Sequence, residues 1–151
     1  MKKINWLKFE RGVFLVNCLA VIFDTKNGKI IIGKRENDPY IKKLTWAFPG
    51  GRPGYKNDLE DYLKLEVKKK TNLKIKIKNI IFAKTYPEDR RFLSIYYLAE
   101  TKGGKEKAGE KFREIKWVEP REIKKYFTTS LHPALYKIIC NLAKKYVIKN
   151  S

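Results

Sequence analysis

The chain has 151 residues, 43% hydrophobic and 34% charged, a balance that supplies one domain, residues 1–151, with a packed core and excludes an intrinsically disordered chain. Lys and Arg number 35 against 16 Asp and Glu, a formal net charge of +19, which attracts polyanions such as nucleotides, nucleic acid and acidic membranes. Lysine-rich surfaces of hyperthermophile proteins usually balance Lys with Glu, and this chain does not.

The first apolar, β-branched stretch, Gly12 to Asp24, reads as one buried strand or a pair. Val13 to Phe23 is its longest apolar run; it is broken by Asn17 and too short to cross a bilayer. No secretory signal is visible, so a soluble, cytoplasmic protein with no membrane partner is expected. Cys18 and Cys140 each sit in an apolar run without a Cys or His at metal spacing, and read as buried free thiols of a reducing compartment.

Thr25 to Gly28 (TKNG) is a turn signal that predicts a tight hairpin, with KIIIGKRE as the return strand. Asn37 to Leu44 is a polar loop, and Thr45 to Gly54 (TWAFPGGRPG) a short strand entering a glycine turn. Asn57 to Lys70 reads as a helix. Asn57 is placed to cap it with Glu60 three residues on, Asp58, Glu60 and Asp61 complement its positive end, and Lys68 to Lys70 its negative end. Asn72 suits the left-handed residue after the helix. At 100° per residue Leu59, Leu63, Glu66 and Lys70 share the inward side.

Leu73 to Pro87 alternates as a strand, and RFLSIYYLAET and FREIKWVEP are further strands. Thr101 to Lys111 between them is the most loop-like stretch of the chain. PREIKKYF is a short helix, and His132 to Lys149 a terminal helix with Pro133 in its first turn. Strands interleaved with helices predict an α/β or α+β fold with a mixed sheet.

The order of these elements resembles the Nudix family, hydrolases of nucleoside diphosphates linked to another group. Trp46-Ala47-Phe48-Pro49-Gly50-Gly51 is similar to the W-x-x-P-G-G entry to the Nudix box, and Ile30-Ile31-Ile32-Gly33-Lys34-Arg35 to the strand upstream of it. Glu114-Ile115-Lys116-Trp117-Val118, followed by Glu122-Ile123, resembles the late strand and short helix. The resemblance covers about residues 12 to 145. It implies an α/β/α sandwich with a mixed β-sheet and Mg²⁺-dependent hydrolysis, with Mg²⁺ or Mn²⁺ as cofactor only if the chain is catalytic.

The box itself, G-x5-E-x7-R-E-U-x-E-E-x-G-U with U a bulky aliphatic residue, is met in part. Gly51, Glu66, Val67 and Leu73 match, while Asn57, Leu65 and Asn72 stand in the first glutamate, arginine and closing glycine positions. Lys69 and Lys70 replace the paired metal-binding glutamates. Mg²⁺ needs several hard oxygen ligands. Glu66, Lys69 and Lys70, spaced three and four apart on one helix face, instead make a site near +1 where the family has about −3. Three readings stay open. Glu66 and Lys70 are an i,i+4 pair worth about 0.3–0.5 kcal/mol; or Lys69 and Lys70 contact phosphate; or Glu66 keeps residual metal binding and catalysis.

Arg35, Gly50 and Gly51 border the cleft that the resemblance implies, so they join Lys69 and Lys70 as candidate phosphate-binding residues. Glu114 and the single histidine, His132, join Glu66 as candidate catalytic residues. Residues 33–39 and Ser130-Leu131-His132-Pro133 resemble the GDP-mannose mannosyl hydrolase branch, in which such a histidine is catalytic; a helix-capping role is the alternative. Trp46, Phe48, Tyr86, Phe92 and Tyr96 could stack a base or pack the core.

Two functions follow. One is a Nudix-fold binder of a nucleotide, nucleoside diphosphate derivative or RNA with weak or no hydrolysis. The other is a divergent metal-dependent hydrolase of a nucleoside diphosphate-linked substrate such as a nucleotide sugar. Nudix proteins often dimerise, so a homodimer is a candidate assembly.

Overall fold

The structure, a computed structural model, describes residues 5, 8, 11–36, 46–127 and 131–149, with side chains to Tyr146 in the last helix. Asn37 to Thr45 and Ser130, and with them part of both segments that resemble the mannosyl hydrolase branch, lie outside the described residues.

In chain order the elements are β1 (Leu15–Phe23), β2 (Ile30–Arg35), β3 (Trp46–Ala47), β4 (Gly50–Gly51), α1 (Leu59–Thr71), β5 (Lys74–Tyr86), β6 (Asp89–Gly103), β7 (Phe112–Val118), a 3-10 helix (Pro120–Lys125) and α2 (Pro133–Lys149). The sheet runs β3-β2-β1-β6-β5, with β4 paired to β1 and β7 to β2. β1 and β6 are parallel, from Leu15 opposite Phe92 to Phe23 opposite Glu100, and the other pairings are antiparallel, so the sheet is mixed as expected.

β1 is apolar on both faces because both are covered. Cys18, Ala20 and Ile22 meet Leu63 and Val67 of α1 on one side. Val21 and Phe23 meet Leu135, Ile139 and Tyr146 of α2 on the other. Strand side chains alternate faces, so this run builds two cores and the fold is an α/β/α sandwich. The Phe23 and Tyr146 rings stack 4.3 Å apart, and the Tyr146 hydroxyl donates to Glu100 of β6 at 2.7 Å, which pins α2 to the sheet.

The predicted hairpin closes through Asp24, whose amide donates to Lys29 O at 2.8 Å across the loop 25–28, with Gly28 at φ +72°. β5 and β6 form a long hairpin turning at Pro87 and Glu88. Cys18 is buried as expected, whereas Cys140 is only half-buried. Of the aromatics, Phe48, Phe92 and Tyr96 are buried, and Trp46 and Tyr86 are half-buried. Phe48 packs edge-on to Tyr96 and Phe127, so core packing accounts for it.

The start of α1 differs from the expectation. Asp58, not Asn57, is the N-cap: its carboxylate accepts from the Asp61 amide at 2.8 Å. A charged acceptor at the positive helix end is the stronger cap. Leu59, expected inside, is 37% exposed, while Val67 and Thr71 are buried with Leu63 and Lys70. The inward stripe is therefore centred about one residue later than the helical wheel suggests. The C-terminus follows the prediction: Asn72 is left-handed at φ 62°, and its amide donates to Lys68 O at 2.9 Å.

Candidate active site

Three pieces of chain build the site. The first is β4. Gly50 and Gly51 pair with Leu19 and Cys18 of β1, and the Ala20 amide donates to Pro49 O at 2.8 Å. The approach is so close that a Cβ on Gly50 would fall on the Cys18 carbonyl oxygen, and one on Gly51 would meet the Tyr62 hydroxyl and, at 3.4 Å, Glu66 Cγ. Glycine is needed here because β4 lies against the β1 backbone at Gly50 and against the Tyr62 and Glu66 side chains of α1 at Gly51.

The second piece is the last two turns of α1. Lys70 is 8% exposed. Its ammonium donates to the Gly50 carbonyl, lies 3.5 Å from Glu66 Oε1 and sits over the Phe112 ring, 5.6 Å from its centroid. The Glu66 and Lys70 side chains are 13% and 10% exposed, so this i,i+4 pair is a buried one. Burial lowers Lys70 below the usual lysine range and nearby Arg35 adds to the effect, while the Glu66 carboxylate opposes it. Tyr62 beside them is pushed up to about 12 by burial and by Glu66. Lys69, next along the helix, is exposed.

The third piece is the 104–111 loop, which folds over the end of α1. Lys107 N donates to Thr71 O at 2.9 Å, Gly109 N to Lys70 O at 3.0 Å, and Asn72 Nδ2 to Lys105 O at 2.9 Å. The first two occupy carbonyls that a helix end otherwise leaves without partners, and the third ties the loop back to the helix end. The loop delivers Glu110, left-handed at φ 48°, against the carboxyl of Glu66. Burial, then the hydrogen bond and charge of Glu66, raise Glu110 above the usual carboxyl range, against the pull of Lys70 and Lys69. Two adjacent carboxylates repel, so the charge of Glu66 disfavours ionisation of Glu110.

Glu110 is the site residue that the sequence reading missed. Its only signal is a carboxylate between a glycine and the start of β7, and no helical or strand spacing relates it to Glu66. A folded-state pKa above the unfolded 4.5 means that the native state holds the extra proton between those two values. Glu110 therefore adds stability that is present below pH 4.5 and lost as pH rises through the raised value. The Glu110→Gln variant should match wild type at acid pH and exceed it in urea denaturation at neutral pH. A difference that does not change with pH would rule out the raised titration of Glu110.

The remaining candidates fall apart in space. Arg35 ends β2, half-buried, close enough to Lys70 to depress it. Glu114 is exposed on β7, in register with Lys34 of β2. His132 belongs to the α2 side of the sheet. Its Nδ1 accepts from the Ala134 amide at 3.0 Å and its ring lies 5.2 Å from Phe82, so it caps α2, the alternative to the catalytic role.

The donor set suits a divalent ion poorly. Among the described residues no group of three His, Cys, Asp or Glu side chains assembles at metal-binding range. The two oxygens nearest the centre of the site, on Gly50 and Glu66, face an ammonium. Mg²⁺ keeps several waters and is held through one or two carboxylates, and here the Glu66 carboxylate is already paired with the Lys70 ammonium.

A two-helix sandwich on a mixed sheet, with a glycine turn feeding the catalytic-type helix, defines a class of fold. Residues 14–142 match the NUDIX domain, and the chain belongs to that family. It is similar to an ADP-ribose pyrophosphatase of Methanocaldococcus jannaschii, 30% identical over 103 residues, an alignment covering 66% of this chain and 60% of that protein. Among solved structures, a NUDIX hydrolase from Nitrosomonas europaea superposes with a TM-score of 0.68 at 16% identity, over 88% of this chain and 72% of that one. A MutT protein from Methanosarcina mazei Go1 superposes at 0.62 and 17% identity, over 92% and 96%. At such identities the structures speak for the fold alone. Among the described residues, no helix is long and apolar enough to cross a membrane.

Proposed function

We propose that this chain binds a nucleotide or nucleoside diphosphate derivative through its phosphates, with weak or no hydrolysis. The observation that carries the reading is a convergence of charge. Arg35 from β2 and Lys69 and Lys70 from α1 gather around Glu66 and Glu110, two adjacent carboxyls. Three cations against at most two anions leave the site positive, which favours phosphate. Of the three, Lys69 is exposed and Arg35 half-buried, while Lys70, turned inward to Gly50 and Glu66, adds its charge from beneath. The diphosphate-bearing substrate named for the Methanocaldococcus jannaschii relative supports the choice of ligand. RNA shares the phosphate chemistry, and a steep fall of RNA affinity with salt would point to it.

The alternative, a divergent metal-dependent hydrolase of a nucleoside diphosphate-linked substrate, draws on one specific observation, the contact of Glu110 with Glu66. A carboxyl whose ionisation a neighbouring carboxylate disfavours is the raw material of acid–base chemistry.

One experiment separates them. Binding and turnover of ADP-ribose, nucleoside diphosphate sugars and nucleoside triphosphates are measured in Mg²⁺, in Mn²⁺ and in chelator, beside Glu66→Gln and Lys69→Glu. The binder requires affinity that survives chelator and falls about tenfold or more in Lys69→Glu, some 1.4 kcal/mol. Metal-dependent turnover that Glu66→Gln abolishes would overturn it in favour of the hydrolase.

A further inference from the structure

The geometry points to the Lys70 ammonium as the resident cation of this site, standing where a divalent metal ion would otherwise be held. The partners of Nζ are the kind of oxygens that a hard cation takes: the Gly50 carbonyl and the Glu66 carboxylate at 3.5 Å. Glu110, on the overlying loop, adds a carboxyl whose ionised form the Lys70 charge favours. The ammonium is built in rather than incidental. Lys70 is 8% exposed, its own carbonyl is held by Gly109 N at 3.0 Å, and Phe112 lies beneath its charge at 5.6 Å. To vacate the position, the side chain would have to leave a buried slot and strand both oxygens without a partner. While it stays, a divalent ion entering the same oxygens meets a positive charge within a few ångström.

A covalently tethered cation has consequences that a bound ion lacks. It cannot be removed by chelator. It supplies one positive charge where Mg²⁺ supplies two. It carries no water to be activated, so it can help to hold a phosphate yet cannot generate the hydroxide that a metal centre generates. The phosphate half of this inference rests on the binding reading above. The metal half stands alone.

The test uses the full chain and Mn²⁺ as the probe, without nucleotide. Wild type, Lys70→Glu and Lys70→Gln are compared by titration calorimetry and by thermal unfolding with Mn²⁺ or chelator. The expected result is a wild type indifferent to both. Lys70→Glu should bind Mn²⁺ at least about tenfold more tightly than wild type and melt higher when it is bound. Lys70→Gln keeps an oxygen without a charge and should fall between. It decides the matter on its own if Lys70→Glu fails to fold. Wild type binding Mn²⁺ as tightly as the folded variants, or no gain in any folded variant, overturns the inference. A second arm follows ADP-ribose binding in chelator. Retention in wild type, loss in Lys70→Gln and restoration by Mn²⁺ confirm that the two cations are interchangeable. Failure of wild type to bind any nucleotide counts against the phosphate-binding reading and leaves the Mn²⁺ comparison standing.

Discussion

Gly50→Ala is expected to destabilise the chain by about 3 kcal/mol or more, at the upper end of what overpacking costs. The added Cβ falls on the Cys18 carbonyl oxygen and within 2.9 Å of Leu19 Cα. Both are backbone atoms of a strand bonded on its other side to β6 over nine residue pairs. No side chain can rotate to make room, so β4 must separate from β1. Separation moves the Gly50 carbonyl that receives Lys70, and it loosens the contact of Gly51 with Tyr62. Urea denaturation of the variant should show a large fall in midpoint with little change in slope. Any nucleotide affinity should be lost together with stability. A variant within about 1 kcal/mol of wild type would mean that the close approach is not needed.

The second large effect concerns the buried pair. Lys70→Met should cost about 3 kcal/mol, because it leaves Glu66 and the Gly50 carbonyl facing an apolar side chain. Glu66→Gln alone leaves the ammonium buried with a weaker partner. The double variant Lys70→Met, Glu66→Gln removes both charges and should recover much of the loss, giving a coupling of about 2 kcal/mol. An exposed i,i+4 pair would give about 0.3–0.5 kcal/mol in the same cycle. A coupling that small, by denaturant unfolding at neutral pH, would show that the pair behaves as a surface pair in solution.

The fold was largely legible from patterning. The apolar run around β1, the Asn-Gly turn, the alternation of β5 and the capped, charge-graded α1 are local signals, and each states its own secondary structure. The order of the elements, with Gly50-Gly51 feeding a helix, carried the family. Local reasoning missed where two local options compete. Asn57 and Asp58 are both good caps, and the electrostatics of the helix end chose the charged one. Leu59 was placed inside by its hydrophobicity, yet the first turn of α1 stands clear of the sheet.

The site was half legible. That glutamates of the box are replaced by Lys69 and Lys70 is a fact of sequence, and so is the sign of the charge that results. What each lysine does is not. The two are neighbours of the same type on one helix, yet Lys69 is exposed while Lys70 is buried against Gly50 and Glu66. The helical wheel already set Lys70 on the inward side, and the structure supplies its partners there. Glu110 is 44 positions beyond Glu66 by sequence number and reaches it because a loop lies down on the carbonyls of a helix end. Glu114 and His132 looked like site residues by position, and the sheet sends one to an exposed strand face and the other to the opposite layer.

By itself, then, the amino-acid sequence determined the elements, their order, the family and a positive catalytic-type helix, because these depend on neighbours in the chain and on composition. Only the tertiary structure decided what the inward Lys70 is paired with, which carboxyl joins Glu66 and which candidates stand apart. Those outcomes depend on desolvation and on contacts between distant segments, and neither exists until the sheet and its two helices have packed.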